Sequence, residues 1–145
     1  MDALDHAILE HLKFDGRSSM QDLSELTGLS RSAVFTRVKR LEDQGVITGY
    51  TVRLDRKKLG KEIRAYCNVS LKLHERELLE EFEGEIGRHR EVRACYHLTG
   101  DFDYLVEVEV ANMDAYHRFI TQRLAAMPNI ATVHSMFVMK DILTP

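Results

Sequence analysis

The fold of this chain is predicted most directly by residues 23–47, LSELTGLSRSAVFTRVKRLEDQGVI. Gly28 follows a short helical pattern whose apolar residues, Leu23 and Leu26, are expected in the core. It lies at a position where a left-handed backbone turn is easiest without a side chain. Ser30 comes two residues later, where its hydroxyl can cap the next helix. Three apolar residues then recur at four- and three-residue spacing: Val34, Val38 and Leu41. This is the buried stripe of an amphipathic helix, so we predict two helices joined by a tight turn.

The second of these helices is basic on the sides that the apolar stripe leaves free, and no acidic residue interrupts 30–41. A solvated basic helix face is also common in proteins without a nucleic-acid partner. However, a short helix, a turn and a longer basic helix together form the arrangement that places side chains in the major groove of DNA.

The start of a recognition helix is inserted deepest, so base contacts are expected there and phosphate contacts around them. The candidates for base contacts are Arg31, Ser32 and Thr36, and those for phosphate contacts are Arg37, Lys39 and Arg40. The backbone N–H groups at Ser19 and Ser30 are further phosphate candidates. For Phe35 two interpretations remain open: contact with a thymine methyl group, or packing against the preceding helix.

Composition limits the possible classes of protein. The 145 residues are 44% hydrophobic and carry a net charge of −3, which argues against a protein that coats nucleic acid indiscriminately. The charge is uneven: residues 1–60 hold ten basic and nine acidic residues, whereas 61–145 hold ten and fourteen. No uncharged run is long enough to cross a bilayer, and the first residues lack the pattern of a signal peptide. Cys67 and Cys95 are therefore expected as free thiols in a reducing cytoplasm.

The second half of the chain alternates between strand and helix patterns. In RAYCNVSLKL, residues 64–73, every second side chain is apolar or small, which is typical of a strand with one buried face. The expected order is strand 64–73, helix 75–88, strand 92–99, strand 104–110, a helix capped by Asn112 that runs to 126, and strand 130–139. This βαββαβ order predicts a four-stranded antiparallel sheet with two helices on one face.

The predicted fold class is thus α+β in two domains. Residues 1–60 form an N-terminal winged helix-turn-helix domain, in which 46–55 are an extended wing or linking strand. Residues 61–145 form a ferredoxin-like domain.

Three segments in this order and spacing resemble the Lrp/AsnC, or feast/famine, family of transcription regulators. They are LDHAILEHLKFDGR, LSELTGLSRSAVFTRVKRLEDQGVITGY and TGDFDYLVEV. The resemblance implies a sequence-specific regulator with a DNA-binding domain and a domain that senses a small effector, typically an amino acid. It also implies homodimers that assemble into larger rings, often octamers, with effectors between dimers. A dimer would place two third helices in successive major grooves of a palindromic site.

The loop TGDFDY, residues 99–104, has two interpretations. The residues alone favour a β-turn in which Gly100-Asp101 is chosen for its backbone shape. The resemblance places effectors beside this loop, with Asp101 or Asp103 binding an ammonium group. It implies as effector residues Thr99, Gly100, Asp101, Asp103 and Tyr104. We expect the last strand to form the opposite wall of this site, which adds Thr132, His134 and Ser135 as candidates that no family rule supplies.

An enzyme is the alternative, because sirohaem decarboxylases are similar to the same two-domain architecture. His97, His134 and Tyr104 would then belong to a tetrapyrrole site, but no spacing indicates a nucleophile and base, so no catalytic residues are assigned. Seven histidines are present, and the combination of His97 with Cys95 on one strand face supplies two metal ligands at most. We therefore expect no metal and no cofactor.

Overall fold

The computed structural model describes residues 1–143 and divides into two compact units, 1–53 and a second that begins at 54. The domain boundary placed between 60 and 61 stays a prediction, and residues 144 and 145 of the predicted second domain lie outside the described residues.

Three helices form the first unit: α1 (Ala3–Phe14), α2 (Met20–Thr27) and α3 (Arg31–Asp43). Their core consists of side chains from the predicted apolar stripes, namely Ile8, Leu23, Val34 and Val38. Leu26, which the sequence pattern also placed in the core, is 49% exposed. It lies about 60° around the helix from Leu23, so the eight-residue α2 turns it to the edge of the contact.

The turn between α2 and α3 has the predicted geometry. Gly28 adopts a left-handed φ of 70°, and its N–H donates to the Ser24 carbonyl at 2.9 Å. Ser30 caps α3, because its hydroxyl accepts the Ala33 N–H at 3.3 Å. Ser19 and Asp22 cap α2 reciprocally. These caps satisfy backbone donors that a helix start leaves unpaired and fix where α3 begins.

An ion cluster fastens α1 to α3. Asp2 and Asp5 form a capping box at the start of α1, in which each carboxylate accepts the other residue's N–H at 2.9 Å. The Asp5 side chain is only 1% exposed and also accepts from Arg37 at 2.8 Å and Arg40 at 2.7 Å. Arg37 reaches Asp2 as well, at 2.7 Å. We call these four residues the Asp5 cluster.

The segment after α3 differs from the prediction. Gly45, with a φ of 69°, ends the helix region as expected. Residues 46–55, however, contain no strand, and the predicted linking strand is wrong for the described part of the chain. A strand needs a hydrogen-bonded neighbour, and this segment is not part of the sheet that residues 1–143 form. Its side chains Val52 and Leu54 are 69% and 65% exposed.

The second unit confirms the predicted ferredoxin-like order. Its elements are β1 (Ile63–Leu71), α4 (Arg76–Ile86), β2 (Val92–His97), β3 (Tyr104–Val110), α5 (Met113–Phe119), a π-helical turn (Ile120–Leu124) and β4 (Ile130–Phe137). All strands pair antiparallel in the order β2-β3-β1-β4. One sheet face is covered by the helices, and the apolar residues of alternate strand positions pack there against Phe82, Ile86, Phe119 and Leu124. No helix in residues 1–143 is long and apolar enough to cross a membrane.

Several helices and strands end earlier than predicted. β1 ends at Leu71, next to a register shift, so Leu73 leaves the sheet and is 54% exposed instead of buried. β2 ends at His97 and β4 at Phe137. The long helix predicted up to 126 becomes α5 followed by the π-helical turn.

The Asp5 cluster leads to a stability prediction. Asp5→Asn keeps the size of the side chain but removes the charge that Arg37 and Arg40 share, and losing one partner of a buried pair costs about 3 kcal/mol. We expect the unfolding free energy of the helical unit to fall by this amount in urea titrations followed by circular dichroism. The matched control is Asp43→Asn, whose pair with Lys39 is 63% and 57% exposed, and it should cost less than about 0.5 kcal/mol. Equal losses in both variants would contradict the role of Asp5.

Candidate DNA interface and effector site

The N-terminal half of α3 presents the predicted base-contact side chains to solvent. Arg31, Ser32 and Thr36 are exposed, and Phe35 is 58% exposed. Exposure of Phe35 favours the thymine-methyl interpretation over packing against α2. Thr36 donates its hydroxyl to the Ser32 carbonyl at 2.9 Å, and its side chain remains exposed. These side chains can therefore reach an approaching surface without any rearrangement of the core.

The four basic side chains of α3 differ in their partners. Arg37 and Arg40 belong to the Asp5 cluster and are 23% and 46% exposed. Lys39 pairs with Asp43 at 3.1 Å on the surface. Arg31 donates its Nε–H to the neutral amide oxygen of Gln21. Of the predicted phosphate contacts, Arg37 is thus largely committed to holding α1, whereas Lys39 remains available.

The Asp5 cluster shifts the acidity of its members. Burial alone raises the pKa of Asp5, but the hydrogen bond from the Asp2 N–H and the two guanidinium groups outweigh it, so the pKa lies below its usual value. For Asp2, the hydrogen bond from the Asp5 N–H and the one from Arg37 lower the pKa from 3.8 to about 2. Hydrogen bonds to Asp2 and Asp5 raise the pKa of Arg37.

Sequence reasoning missed two contributors to this surface, Asp5 and Gln21. The spacing Asp2-x-x-Asp5 was a readable signal, because it is that of a capping box. Nothing in the spacing of Gln21 indicated its contact with Arg31, since the two residues lie ten positions apart on different helices.

In the second unit, the loop between β2 and β3 is held in place by Asp103. The Asp103 carboxylate accepts the Leu71 N–H at 2.6 Å and contacts His74 Nε2 at 2.8 Å, while its own N–H donates to the Val69 carbonyl at 2.9 Å. Asp103 therefore anchors the loop to the end of β1. Gly100 has a φ of 117°, a conformation that side chains rarely adopt.

Asp101 is the exposed carboxylate of this loop, and no hydrogen-bond or ion-pair partner for it occurs among residues 1–143. Thr99 is exposed beside it. The Phe102 ring lies against His134 of β4, with 5.3 Å between ring centroids. The structure thus brings the loop together with the His134 position of the predicted opposite wall.

Two predicted effector residues lie elsewhere. Tyr104 is 1% exposed on the helix-covered face, where its hydroxyl donates to Glu83 at 2.7 Å and its ring stacks on His97. Burial, followed by the Glu83 carboxylate, raises its pKa. Ser135 accepts the Tyr116 hydroxyl at 2.6 Å. Tyr104 and Ser135 consequently face the helices, whereas Thr132 and His134 belong to the open face of the sheet, opposite Ser70 and Asn68.

Of the three residues that the enzyme alternative would place in a tetrapyrrole site, two lie together and the third lies apart. His97 stacks on Tyr104 at 4.6 Å beside α4, and His134 lies on the other face of the sheet. Within residues 1–143, no group of three or more His, Cys, Asp or Glu side chains is arranged to hold a metal ion. Cys67 and Cys95 are free thiols, and burial followed by the charge of Glu83 raises the pKa of Cys95 to about 11.

The helix-turn-helix with an exposed basic face, followed by an α+β sheet unit, defines a class of two-part DNA-binding proteins. Residues 1–48 match the family model described as winged helix-turn-helix DNA-binding, and residues 64–144 match the Lrp/AsnC ligand binding domain. The chain belongs to the Lrp/AsnC family of transcriptional regulators.

Relatives match over nearly the whole chain. The Bkd operon transcriptional regulator of Pseudomonas aeruginosa is 36% identical over 99% of this chain and 94% of its own length. The leucine-responsive regulatory protein of Escherichia coli is 32% identical over 98% of this chain and 87% of its own length. A solved structure of a transcriptional regulator from Neisseria meningitidis in complex with L-Met is 30% identical, covers 99% of this chain and 93% of that one, and superposes with a TM-score of 0.96.

These matches confirm the family resemblance, the α+β fold and the function of a DNA-binding transcriptional regulator. They also decide between regulator and enzyme, because the relatives are named as regulators and nothing supports a sirohaem decarboxylase.

The lowered pKa of Asp2 leads to a prediction about acid stability. A group whose pKa is lowered from 3.8 to about 2 on folding contributes stability above pH 3.8, and the contribution is lost as pH falls toward 2. Asp2→Asn keeps the cap but removes this charge. We expect its melting temperature to lie below that of the wild type at neutral pH and the gap to close between pH 3.8 and about 2. A constant gap across this range would contradict the ion pair; Glu10→Gln, in an exposed pair with Lys13, is the control.

Proposed function

We propose that the chain binds palindromic DNA as a homodimer through α3 and that an amino acid bound at the 99–103 loop modulates its assembly or DNA binding. The observation that carries the DNA part is the open start of α3, where Arg31, Ser32, Phe35 and Thr36 are exposed together. Base contacts are assigned to these four side chains. A regulator that binds the chromosome works in the compartment that holds it, so a cytoplasmic location follows from this function.

The candidates for phosphate contacts differ in how far other partners already bind them. The N–H groups at the start of α3, next to Ser30, can contact the DNA backbone. Lys39 can do so as well by exchanging its exposed pair with Asp43 for a phosphate. Arg40 uses one terminal nitrogen on both oxygens of Asp5 and is 46% exposed, so its other nitrogens remain for phosphate. Arg37 is the weakest candidate, since its charge is shared between Asp2 and Asp5.

The open face of the sheet supports the homodimer. On this face Tyr96 and Met136 are 54% and 48% exposed, with Tyr66 and Leu105 between them in the strand register. An antiparallel sheet whose second face meets only water is usually polar there, whereas on this face the four aromatic and apolar side chains lie among polar ones such as Asn68 and Glu107. A second copy of the chain is the proposed cover, and assembly of such dimers into rings, up to octamers, follows the family pattern.

The effector site is proposed around Asp101. An amino acid carries an ammonium group, and the unpaired carboxylate of Asp101 provides the charge to bind it. Thr99, Gly100, Thr132 and His134 complete the proposed site, with Asp103 as the anchor of the loop. The complex of the Neisseria regulator with L-Met supports an amino acid as the ligand class. Tyr104 and Ser135 would act only indirectly, through the core.

The DNA part is tested by anisotropy titrations with a duplex from upstream of the chain's own gene, repeated across salt. We expect Lys39→Ala to make the slope of log affinity against log salt shallower by about 0.9 for each phosphate that Lys39 neutralises in the wild type. Arg31→Ala should weaken binding to this duplex about 10- to 100-fold and binding to a scrambled duplex far less.

Lys140→Ala, which removes the same charge from the second unit, is the matched control and should leave the slope unchanged. Scrambling one half-site should also weaken binding steeply, because one subunit of the dimer then has no matching sequence to read. Unchanged binding in both Lys39→Ala and Arg31→Ala contradicts the assignment of α3, and indifference to the half-site contradicts the dimer.

The effector part is tested by calorimetry with the common amino acids, starting with L-methionine. Asp101→Asn removes a charge-assisted hydrogen bond, so the affinity for the ligand that binds best should fall at least about tenfold. Asp114→Asn, at the exposed start of α5, should bind that ligand like the wild type. Equal affinities of the Asp101 variant and the wild type would show that the site lies elsewhere.

A further inference from the structure

Gln21 of α2 forms hydrogen bonds with two charged side chains, those of Glu25 and Arg31. Its amide nitrogen donates to Glu25, one helical turn along α2, at 2.5 Å. Its amide oxygen accepts the Nε–H of Arg31 at the start of α3. Gln21 is partly buried, and Arg31 is exposed. The contact therefore connects Arg31, the first basic residue of α3, to α2.

The orientation of this amide is determined by its neighbours. A carboxylate such as that of Glu25 only accepts hydrogen bonds, and a guanidinium group only donates them. If the Gln21 amide were turned around, its oxygen would face the Glu25 carboxylate, so that an acceptor meets an acceptor. Its nitrogen would face Arg31, so that a donor meets a donor. Only one orientation satisfies both contacts, so Gln21 holds the guanidinium group of Arg31 in one place.

Gln21 also leaves the charge of Arg31 intact. In the described chain, the other basic side chains of α3 lie against carboxylates: Arg37 and Arg40 against Asp5, and Lys39 against Asp43. Arg31 is held by a neutral group instead. It is thus fixed in position without being neutralised, which is the combination that a base-reading arginine requires.

The atoms that remain free indicate what Arg31 reads. With Nε–H donated to Gln21, the two terminal nitrogens form the free edge of the guanidinium group. Guanine presents two acceptors, O6 and N7, side by side in the major groove, and arginine binds them with two parallel hydrogen bonds. We propose that Gln21 is a positioning residue that aims the terminal nitrogens of Arg31 at a guanine in each half-site. This inference rests on the proposed DNA-binding function.

A purely structural role would have different consequences. The joint between α2 and α3 already has its own fastening, since Leu23 and Val34 pack in the core and the Ser24 hydroxyl donates to the Leu29 carbonyl at 2.5 Å. If Gln21 only held α2 against α3, its substitution would lower the stability of the protein and weaken binding to every DNA sequence together. A positioning residue changes the discrimination between sequences and acts only while Arg31 is present.

The experiment begins with a duplex selected by the wild-type protein from a randomised library. Affinities for this duplex and for a scrambled one are then measured for Gln21→Met, Gln21→Glu, Arg31→Ala and the double variant Gln21→Met/Arg31→Ala. Gln21→Met preserves the length of the side chain without its acceptor, and Gln21→Glu retains an acceptor for Arg31. Gln122→Met, on the π-helical turn of the second unit, is the matched control. Melting curves show whether each variant is folded.

We expect the selected half-site to contain a fixed guanine. Gln21→Met should lower the ratio of selected to scrambled affinity about three- to tenfold, the cost of ordering one long side chain on binding. In the Arg31→Ala background, Gln21→Met should not lower this ratio further, because the effects of residues that act as a unit are not additive. Gln21→Glu should also lower the ratio, because its carboxylate still accepts from Arg31 but neutralises the charge that Gln21 leaves intact.

Two results would overturn the inference while leaving the proposed function standing: no change of the ratio in Gln21→Met, or the same decrease in both backgrounds. A different result distinguishes failure of the proposed function itself. If Arg31→Ala retains full discrimination, Arg31 does not read bases, and the role of Gln21 falls with it.

Discussion

A carboxylate buried between the first and third helices determines which side of the recognition helix can face DNA. Asp5 accepts hydrogen bonds from the Asp2 N–H and from two arginines of α3, and it is almost fully buried. An unpaired buried charge costs several kcal/mol, so α3 cannot roll or slide on α1 without a large penalty. The apolar stripe of Val34 and Val38 would by itself permit small rotations, because hydrophobic contact is not directional.

The same cluster divides the basic residues of α3 into two groups with different roles. Arg37 and Arg40 direct much of their charge to Asp5, so the electrostatic surface is weaker than the sequence indicates. In the proposed function, Arg31 provides discrimination between sequences, and Lys39 adds an attraction to phosphate that is the same for every sequence. With a net charge of −3 for the whole chain, non-specific binding is expected to be modest, and discrimination between sequences depends on a few well-placed side chains.

Local sequence rules were sufficient wherever a single helix or strand decides the outcome. Gly28, Ser30 and the alternation of 64–73 gave the turn, the cap and the first strand of the sheet. They failed where tertiary contacts choose a partner, as for Arg40 or the exposed Leu26. For Tyr104 and Ser135 a local signal was available: each shares the parity of apolar residues on its own strand, and that parity points to the helices. Assigning these two residues to the effector site ignored this alternation.

The loop that carries Asp101 is held in shape by contacts within its own unit. Asp103 fastens it to β1 through the Leu71 N–H and the Val69 carbonyl, and Gly100 provides the backbone shape that the turn requires. A ligand that enters an already formed loop changes little within one copy of the chain. A ligand shifts an equilibrium only by binding one state better than another. In the proposed function that difference must come from groups beyond this loop. The exposed side chains of Thr132 and His134 on the open sheet face are the place where a second copy would supply them.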